Sequence, residues 1–449
     1  MAKKTVRITS YNTHLFAGTA AQILPKLVYR DKERFTEIAD RINKSKADVV
    51  GLCEVWADTW KRNFIDQTQD AYPFAVYTET SWTTMGDGLL ILSKHPLFDP
   101  GFRRFKNLKG DDAKSAKGVL WASVYLDDAH QFRVFMSHTQ SGRDETKARM
   151  SNLKEVKSEI DTRHKGTPAI VMGDLNVYAS EHADLMKTLS GFSDGGVVDD
   201  VPTYDPTKNN LIDKFSKSKQ PKRFDYILTT NGSLKPKSVQ VIDSWKLPDG
   251  LDCSDHFPLC TQAVAAAANI PRNVYTKQTE AKAAAKAAKN QYGPGVSNLI
   301  RIRNGSKKLI LRPALWYSWP NYGNFRYLLP ASRVNPGQWT AAFHHHPDGE
   351  ARGSIGCIIY RAFDKAGTAL GDVFLGFETP WGATSNRVYV EVRGVGHWWK
   401  KGSRSYMYHM LDDRGTRKAS DKKKLSGVSI SVSGSIAKGT SPETIFAIS

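Results

Sequence analysis

Residues 251–259 read Leu-Asp-Cys-Ser-Asp-His-Phe-Pro-Leu and place an acid beside an imidazole, directly before an apolar run. Such a pair is by itself typical of the start of a strand, because short motifs often match by chance. The pair Asp255 and His256 is more informative here because other polar residues stand at the ends of separate apolar runs upstream. This pattern favours a common site to which residues 251–259 contribute the last part.

The chain has 449 residues, which is too long for one ordinary core and indicates two or three domains. No run of about eighteen apolar residues predicts a membrane span. Cysteines at positions 53, 253, 260 and 357 show neither metal-ligand spacing nor a dense disulfide framework, although a bridge between Cys253 and Cys260 stays open. The first residues contain no apolar segment of a conventional secretory signal, so we expect a cytoplasmic protein or release by another route.

The formal net charge of +19 is unevenly distributed. Residues 1–262 carry 37 basic and 34 acidic side chains, whereas the remainder carries 27 basic and 11 acidic ones. A basic surface favours nucleic acid or an anionic membrane as a partner, and it also keeps a protein soluble. The attraction to anionic partners is therefore expected in the second half of the chain.

Short apolar runs alternate with amphipathic segments up to about residue 264. The predicted strands are residues 5–10, 48–55, 88–93, 118–126, 132–137, 169–172, 224–229, 238–244 and 257–264. Two helices are predicted from apolar residues that share a face, at positions 35, 38, 39 and 42 and at positions 153, 156 and 160. Residues 1–264 are therefore predicted to form a layered α/β sandwich.

Residues 265–292 are rich in alanine and lysine and predict a helical linker. Large apolar residues are too few for a firm membrane-inserting face, which favours a spacer. From residue 299 onward the pattern alternates in short runs with many turns, and no long helix is predicted. We expect residues 293–449 to form a separate β-sandwich.

A set of eight polar side chains in the first domain is suggestive, and most of them stand where a predicted strand ends. They are Asn12, Glu54, His138, Asp174, Asn176, Asp225, Asp255 and His256. Carboxylates, amide oxygens and imidazoles suit a hard divalent cation such as Mg²⁺. Together they predict metal-assisted hydrolysis of a phosphodiester, in which an imidazole activates water. Taken singly, Glu54 fits a surface acid at a strand end and His138 a core histidine, while Asn12 fits a turn and the stretch from Asp174 to Asn176 fits a loop.

In its order along the chain, this set resembles the endonuclease/exonuclease/phosphatase superfamily, whose DNase I-like fold is a four-layer α/β sandwich. The resemblance covers residues 5–262 and implies a role for each residue. It makes Glu54 the main metal ligand, with Asn12 beside it and Asp255 in support. Asp174 and Asn176 would position water and phosphate. His256 would be the general base, oriented by Asp225, and His138 would hold phosphate or stabilise the leaving oxygen.

Three further stretches are similar to the bacterial neutral sphingomyelinases. Residues 112–118 imply an active-site role for Asp112, with Asp111 as a neighbour, although a solvated loop is the simpler interpretation. Residues 203–210 match a segment before the strand that carries Asp225, or form a plain turn. Residues 244–250 imply a membrane-contacting hairpin with Trp245 as its anchor, while the alternative is a tryptophan packed under a turn.

Residues 334–337, 353–360, 377–381 and 405–408 resemble the β-sandwich of actinoporins and related lipid-binding proteins. Aromatic faces attract quaternary ammonium groups. The resemblance implies a phosphocholine headgroup site formed by Tyr317, Ser318, Pro380, Trp381, Tyr406 and Tyr408, although some of these rings fit a core equally well. Glu378 stands where that family has a small residue, and no pore-forming helix is recognisable.

The resulting hypothesis is a secreted or released sphingomyelinase that uses Mg²⁺, or another divalent cation, to cleave sphingomyelin into ceramide and phosphocholine. Its partner is a sphingomyelin or related sphingolipid surface, bound by the second domain, and no protein partner is indicated. One alternative is a DNase I-type nuclease toxin that binds nucleic acid, which the nearly neutral first half disfavours. Another is a membrane-binding cytolysin with a degenerate hydrolase domain.

Overall fold

The computed structural model describes most of the chain in two compact units, Met1–Asn269 and Ile270–Ser449. The described residues are 4–78, 85–127, 130–164, 167–194, 202–231, 234–265, 273–318, 323–325, 327–328, 330–331, 333–346, 353–382, 385–399 and 403–449. Within these segments no helix combines the length and the apolar character that a membrane crossing needs.

The first unit contains twelve strands and five α-helices in its described part. The strands are β1 (Lys4–Leu15), β2 (Val49–Val55), β3 (Phe74–Val76), β4 (Leu90–Ser93), β5 (Leu97–Arg104), β6 (Gly118–Asp127), β7 (His130–Ser137), β8 (Ala169–Asp174), β9 (Phe192–Ser193), β10 (Asp225–Thr230), β11 (Leu234–Val241) and β12 (Leu259–Ala265). The helices are α1 (Thr19–Ile23), α2 (Asp31–Lys44), α3 (Asp58–Thr68), α4 (Thr146–His164) and α5 (His182–Thr188). All nine predicted strands and both predicted helices are confirmed.

These strands form two six-stranded sheets, ordered β11-β12-β1-β2-β4-β3 and β5-β6-β7-β8-β10-β9. Helices α2 and α3 bury their apolar faces against the first sheet, and α4 and α5 cover the second. The uncovered faces of the two sheets pack together at Gly51, where an added Cβ would collide with Met136 and Met172. The order of layers is helix, sheet, sheet, helix, which confirms the four-layer α/β prediction.

The second unit is built mainly from two sheets. Its strands are β13 (Ser297–Asn304), β14 (Ile310–Ser318), β15 (Asn324–Phe325), β16 (Trp339–His345), β17 (Ser354–Phe363), β18 (Ala369–Thr379), β19 (Arg387–Arg393), β20 (Lys418–Leu425), β21 (Val428–Ile436) and β22 (Glu443–Ile448), and its helices are α6 (Gln278–Tyr292) and α7 (Ser403–Arg414). The sheet orders are β15-β16-β13-β22-β21-β20 and β14-β17-β18-β19. Asn298 of the first sheet donates a hydrogen bond to Ser354 Oγ of the second at 2.9 Å, so the sheets face each other. A separate domain of packed sheets is thus confirmed.

Helix α6 differs from the predicted linker over residues 265–292. The helix forms, but its buried alanines at positions 281, 285 and 288 pack on Leu299, Trp339 and Phe343. Small side chains on one face let the helix approach the sheet closely, and Lys282 pairs with Glu443 at 2.7 Å. Helix α6 is therefore an integral part of the second unit rather than a free spacer.

Candidate active site

The strand pairing of the first unit brings the predicted catalytic residues to one edge. β1 runs parallel to β2 and β7 runs parallel to β8, so the carboxyl ends of each pair lie together. β10 runs antiparallel to β8 in a register that places Asp225 opposite Asp174. Glu54 near the end of β2 has a left-handed φ of 58°, a conformation that costs energy in a non-glycine residue and is concentrated at functional sites.

Three side chains at this edge form a group able to hold a metal ion. Glu54, His138 and Asp174 each offer a ligand atom within 4.8 Å of the others. Oε2 of Glu54 is buried without a hydrogen-bond partner among the described residues. A buried anionic oxygen needs a compensating positive charge, and the carboxylate-rich set matches the preference of Mg²⁺ for oxygen ligands. The residues present therefore fit a divalent cation.

Asn12 links two members of this group, Glu54 and Asp174, by hydrogen bonds. Its Nδ2 donates to Glu54 Oε1 at 2.9 Å and to Asp174 Oδ2 at 3.0 Å, and its Oδ1 accepts from the backbone N–H of His14. The sequence predicts Asn12 as a metal ligand, whereas the structure turns its amide nitrogen toward the carboxylates. A nitrogen that donates protons cannot ligate a cation, so Asn12 orients the ligands in this arrangement.

The surroundings of this group shift the pKa values of Asp174 and His138 in opposite directions. Burial, together with the carboxylates of Asp225 and Glu54, raises the pKa of Asp174 to about 7 against the opposing effect of His256. Burial, followed by the charges of Lys117 and His256, holds the pKa of His138 well below its usual value. His138 is therefore neutral near pH 7, as a histidine that ligates a metal must be.

His256 and Asp225 form a buried dyad beside this group. Nδ1 of His256 lies 2.6 Å from Oδ2 of Asp225, and Nε2 lies 3.8 Å from Oδ2 of Asp174. Burial disfavours the charged imidazole, but the Asp225 carboxylate outweighs it and the pKa of His256 is raised well above its usual value. Asp225 therefore fixes the ring so that Nε2 is the nitrogen available for proton transfer.

Asp255 is joined to the metal group through a histidine that the sequence analysis did not assign. Nδ1 of His14 lies 3.3 Å from Asp255 Oδ2 and 3.7 Å from Glu54 Oε2. Burial raises the pKa of Asp255, but His14 outweighs this effect and holds that pKa well below its usual range. His14 ends the stretch Ser-Tyr-Asn-Thr-His that contains Asn12, so its signal was present in the sequence.

Asp112 is brought to the same cleft by a second buried ion pair. Its Oδ1 lies 2.8 Å from Nζ of Lys117, and its Oδ2 accepts from the backbone N–H of Ser141 at 2.7 Å. Lys117 is 1% exposed and also donates to Thr139 O at 3.1 Å. Lys117 stands in the stretch 112–118 and was not singled out from the sequence.

The cleft has a volume of about 350 Å³. Asn176 lies on its wall with a left-handed φ of 50°, held by a hydrogen bond from its backbone N–H to Asp174 Oδ1 at 2.9 Å. The predicted residues on the lining are Glu54, Asp112, His138, Asp174, Asn176, Asp255 and His256, and the unpredicted ones include His14, Trp56, Lys117, Tyr178, Tyr204, Lys222 and Phe224. The cleft thus combines an acidic floor with aromatic and basic walls.

Trp245 does not lie on an exposed hairpin. Its side chain is 8% exposed and packs edge-on against Tyr11, with ring centroids 5.3 Å apart, in the core beneath α2. Burial of so large an apolar ring stabilises the fold and leaves it unable to enter a membrane. The prediction of a membrane anchor at Trp245 is wrong, and the alternative of a tryptophan packed under the turn is correct.

The predicted headgroup residues of the second unit come from different elements. The side chains of Tyr317 and Ser318, at the end of β14, lie outside the described part of the structure. Pro380 and Trp381 follow β18, and the Trp381 side chain is 53% exposed. Tyr406 and Tyr408 lie on α7, an element that the sequence did not predict.

Tyr406 has a structural hydrogen-bond network. Its hydroxyl donates to Glu391 Oε2 at 3.2 Å and accepts from Arg393 at 3.2 Å. Glu378, where the resemblance expected a small residue, is buried beside Arg387, with Nε 3.4 Å from Oε2. Of the predicted headgroup residues with described side chains, Trp381 has the most exposed ring.

Comparison with known proteins agrees with this architecture. The model of the Endonuclease/Exonuclease/phosphatase family matches residues 9–256, and the chain belongs to this family. The model of the Nakanori-like protein family matches residues 261–448, a range that begins in β12 of the first unit and covers nearly all of the second unit.

Among individual relatives, the chain is similar to Sphingomyelinase C of Listeria ivanovii, with 24% identity over 289 residues that cover 56% of this chain and 84% of the relative. The crystal structure of SmcL has 22% identity and a TM-score of 0.50, covering 58% of this chain and 99% of SmcL. The crystal structure of the lipid binding protein Nakanori has 31% identity and a TM-score of 0.34, covering 38% of this chain and 80% of Nakanori. The family match and the site together define the first unit as a phosphodiesterase-type hydrolase domain.

Proposed function

We propose that this protein is a divalent-cation-dependent phosphodiesterase that hydrolyses sphingomyelin to ceramide and phosphocholine at membrane surfaces. One observation carries the reaction type: the His256–Asp225 dyad lies beside the group Glu54, His138 and Asp174 in a single cleft. The similarity to Sphingomyelinase C of Listeria ivanovii supports the choice of substrate.

In the proposed reaction, Nε2 of the neutral His256 ring, whose raised pKa would be lowered by a cation bound beside Asp174, accepts a proton from water as the water oxygen bonds to phosphorus. The bond from phosphorus to the ceramide oxygen breaks, and that oxygen takes up a proton from solvent. Asp225 keeps the second proton of the imidazole on Nδ1 and stabilises the imidazolium that forms. In this proposal the neutral His138 ring and the Asn176 amide contact phosphate oxygens, and Asp174 orients the water.

Glu54 and Asp174 would hold the cation, with His138 and Asp255 beside them. A bound Mg²⁺ would neutralise charge on the phosphate. Asn12 keeps the two carboxylates in place through its amide N–H groups. Other divalent cations with oxygen preference fit the same donor set.

The second unit is proposed to bind the lipid surface. Its support is the excess of basic residues in the second half of the chain and the exposed ring of Trp381. Joining a binding domain to a catalytic one raises the local concentration of the enzyme at its substrate. The proposed substrate is a membrane lipid, and we infer that a released form of the protein acts on target membranes.

The test is to incubate the purified protein with sphingomyelin vesicles, phosphatidylcholine vesicles and plasmid DNA, each with Mg²⁺ or with a chelator. We expect phosphocholine release from sphingomyelin alone, and only with the metal. Nicking of DNA without lipid cleavage would instead identify a nuclease. Vesicle binding without any hydrolysis would identify a membrane-binding protein with an inactive hydrolase domain.

A further inference from the structure

Three aromatic rings surround the ammonium group of Lys222 on the wall of the cleft. Nζ lies 5.6 Å from the ring centroid of Tyr204, 5.7 Å from that of Phe224 and 5.9 Å from that of Tyr178. Attraction between a cation and an aromatic face extends to about 6 Å, so each distance is near its outer limit. The three rings therefore contact a cation at the outer limit of cation–π attraction rather than closing tightly around it.

These rings adjoin the group that performs the proposed chemistry. The centroid of Tyr204 lies 5.5 Å from that of His256, and the centroid of Phe224 lies 6.2 Å from it. In a choline phosphodiester an oxygen and an ethylene unit separate phosphorus from nitrogen. A phosphate that accepts water activated by His256 therefore has its headgroup nitrogen within reach of this aromatic wall.

Lys222 is held in a different way from the other lysine of the cleft. Lys117 pairs with Asp112 at 2.8 Å, whereas Lys222 forms no ion pair with any described carboxylate. Its Nζ donates to Ser218 Oγ at 3.4 Å, and burial followed by the charge of Arg143 lowers the pKa of Lys222. The ammonium of Lys222 can leave the rings without breaking an ion pair.

We propose that Tyr178, Tyr204 and Phe224 form the seat for the quaternary ammonium of the substrate headgroup, and that Lys222 occupies this seat until substrate displaces it. The proposal rests on the proposed function and names its substrate class. A trimethylammonium group is larger and less strongly hydrated than a primary ammonium, so it fills the space that Lys222 leaves and loses less hydration. The seat therefore selects choline phosphodiesters over ethanolamine phosphodiesters.

The test is calorimetric binding of phosphocholine to the full-length protein in the presence of Mg²⁺, which needs no turnover. Lys222→Ala empties the seat, and we expect it to tighten phosphocholine binding about tenfold. Tyr204→Leu and Phe224→Leu each remove one ring and are expected to weaken it about tenfold, in line with a desolvated cation–π contact. Lys219→Met, in an exposed lysine of the same loop that pairs with Asp213, is the matched control and leaves binding unchanged.

Weaker phosphocholine binding in Lys222→Ala would overturn the proposal, because the lysine would then hold the phosphate rather than occupy the seat. A second measurement compares kcat/KM for sphingomyelin and ceramide phosphoethanolamine. We expect the ratio to fall about tenfold in Tyr204→Leu, and an equal loss for both substrates would refute the seat while leaving the proposed function intact. If the wild type hydrolyses neither lipid but the calorimetric pattern holds, the seat stands and the proposed function fails.

Discussion

Nδ1 of His256 lies 2.6 Å from Oδ2 of Asp225, and both side chains are buried at the edge where β8 and β10 meet. This short contact leaves Nε2 as the nitrogen that faces the cleft. The dyad is assigned a role in hydrolysis only. Its variants can therefore be used to measure hydrolysis of the lipid separately from binding of the lipid surface.

His256→Ala removes the proposed proton acceptor, and we expect hydrolysis to fall by about 10²- to 10⁴-fold, the usual contribution of a general base. Vesicle binding should not change, because it is assigned to the second unit. Phosphocholine release and vesicle co-sedimentation measure the two quantities. His95→Ala, at a histidine near Asp48 outside the cleft lining, should retain activity, and full activity of His256→Ala would show that the base is misassigned.

Glu54→Gln tests the metal group, because it removes the charge of the carboxylate whose buried Oε2 accepts no hydrogen bond from the described residues. Mg²⁺ should raise the melting temperature of the wild type, since a ligand that binds only the folded state stabilises it. It should raise that of Glu54→Gln much less. Differential scanning calorimetry with Mg²⁺ and with chelator gives the comparison, with the exposed Glu33→Gln as control. If Mg²⁺ raised the melting temperatures of the wild type and of Glu54→Gln equally, the ion would bind elsewhere.

With metal removed by a chelator, the pH dependence of the free energy of unfolding tests whether His256 is charged in the folded protein. Because the folded-state pKa of His256 is raised, its protonation stabilises the fold. This contribution is fully present below the unfolded pKa of about 6.5 and is lost as pH rises through the folded pKa. The free energy of unfolding of the wild type relative to His256→Gln should therefore decrease between about pH 6.5 and alkaline pH. Urea denaturation at several pH values measures it, and a pH-independent difference would contradict the assignment.

Trp245 and Trp381 form a matched pair for separating stability from membrane binding. Trp245→Ala should lower the free energy of unfolding by about 3–5 kcal/mol, as truncation of a buried aromatic ring does. Trp381→Ala should change it by less than about 0.5 kcal/mol, because the ring is exposed, and should weaken binding to sphingomyelin vesicles. Unchanged vesicle binding in Trp381→Ala would remove this residue from the proposed lipid surface.

Fragments of the chain test the role of α6. Residues 270–449 should fold alone, whereas residues 293–449 lack α6 and expose Leu299, Trp339 and Phe343. The shorter fragment should melt at a lower temperature or aggregate, as measured by circular dichroism and light scattering. Equal melting temperatures of the two fragments would show that α6 is only a linker. Residues 1–269 should hydrolyse dispersed substrate but bind vesicles less well.

Much of the first unit follows from local patterns. Its nine predicted strands are apolar runs bounded by turn residues, and their ends carry the polar side chains of the cleft. β5 escaped prediction because Pro100 interrupts it, and the ladder shifts register between Phe98 and Gly101. Register shifts arise from pairing with a neighbouring strand, which a single sequence window does not contain.

The remaining differences depend on tertiary packing. Trp245 fits an exposed hairpin and a buried turn equally well in sequence, and its contact with Tyr11 decides between them. Helix α7 contains Ser-Tyr-Met-Tyr-His-Met, whose alternation suits a strand, yet the buried Met407 and Leu411 are four residues apart, as a helix requires. His14 stands in the same short stretch as Asn12, but its role depends on contact with Asp255, which is distant in sequence.

The close sheet contact at Gly51 bears on the geometry of the candidate metal group. Gly51 precedes Glu54 on the first sheet, while Met136 and Met172, which fill the space above it, precede His138 and Asp174 on the second. The separation of the two sheets at this point thus sets the gap between ligands contributed by opposite halves of the domain. Because position 51 carries no Cβ, the two sheets approach closely enough here for Glu54, His138 and Asp174 to offer ligand atoms within 4.8 Å of one another.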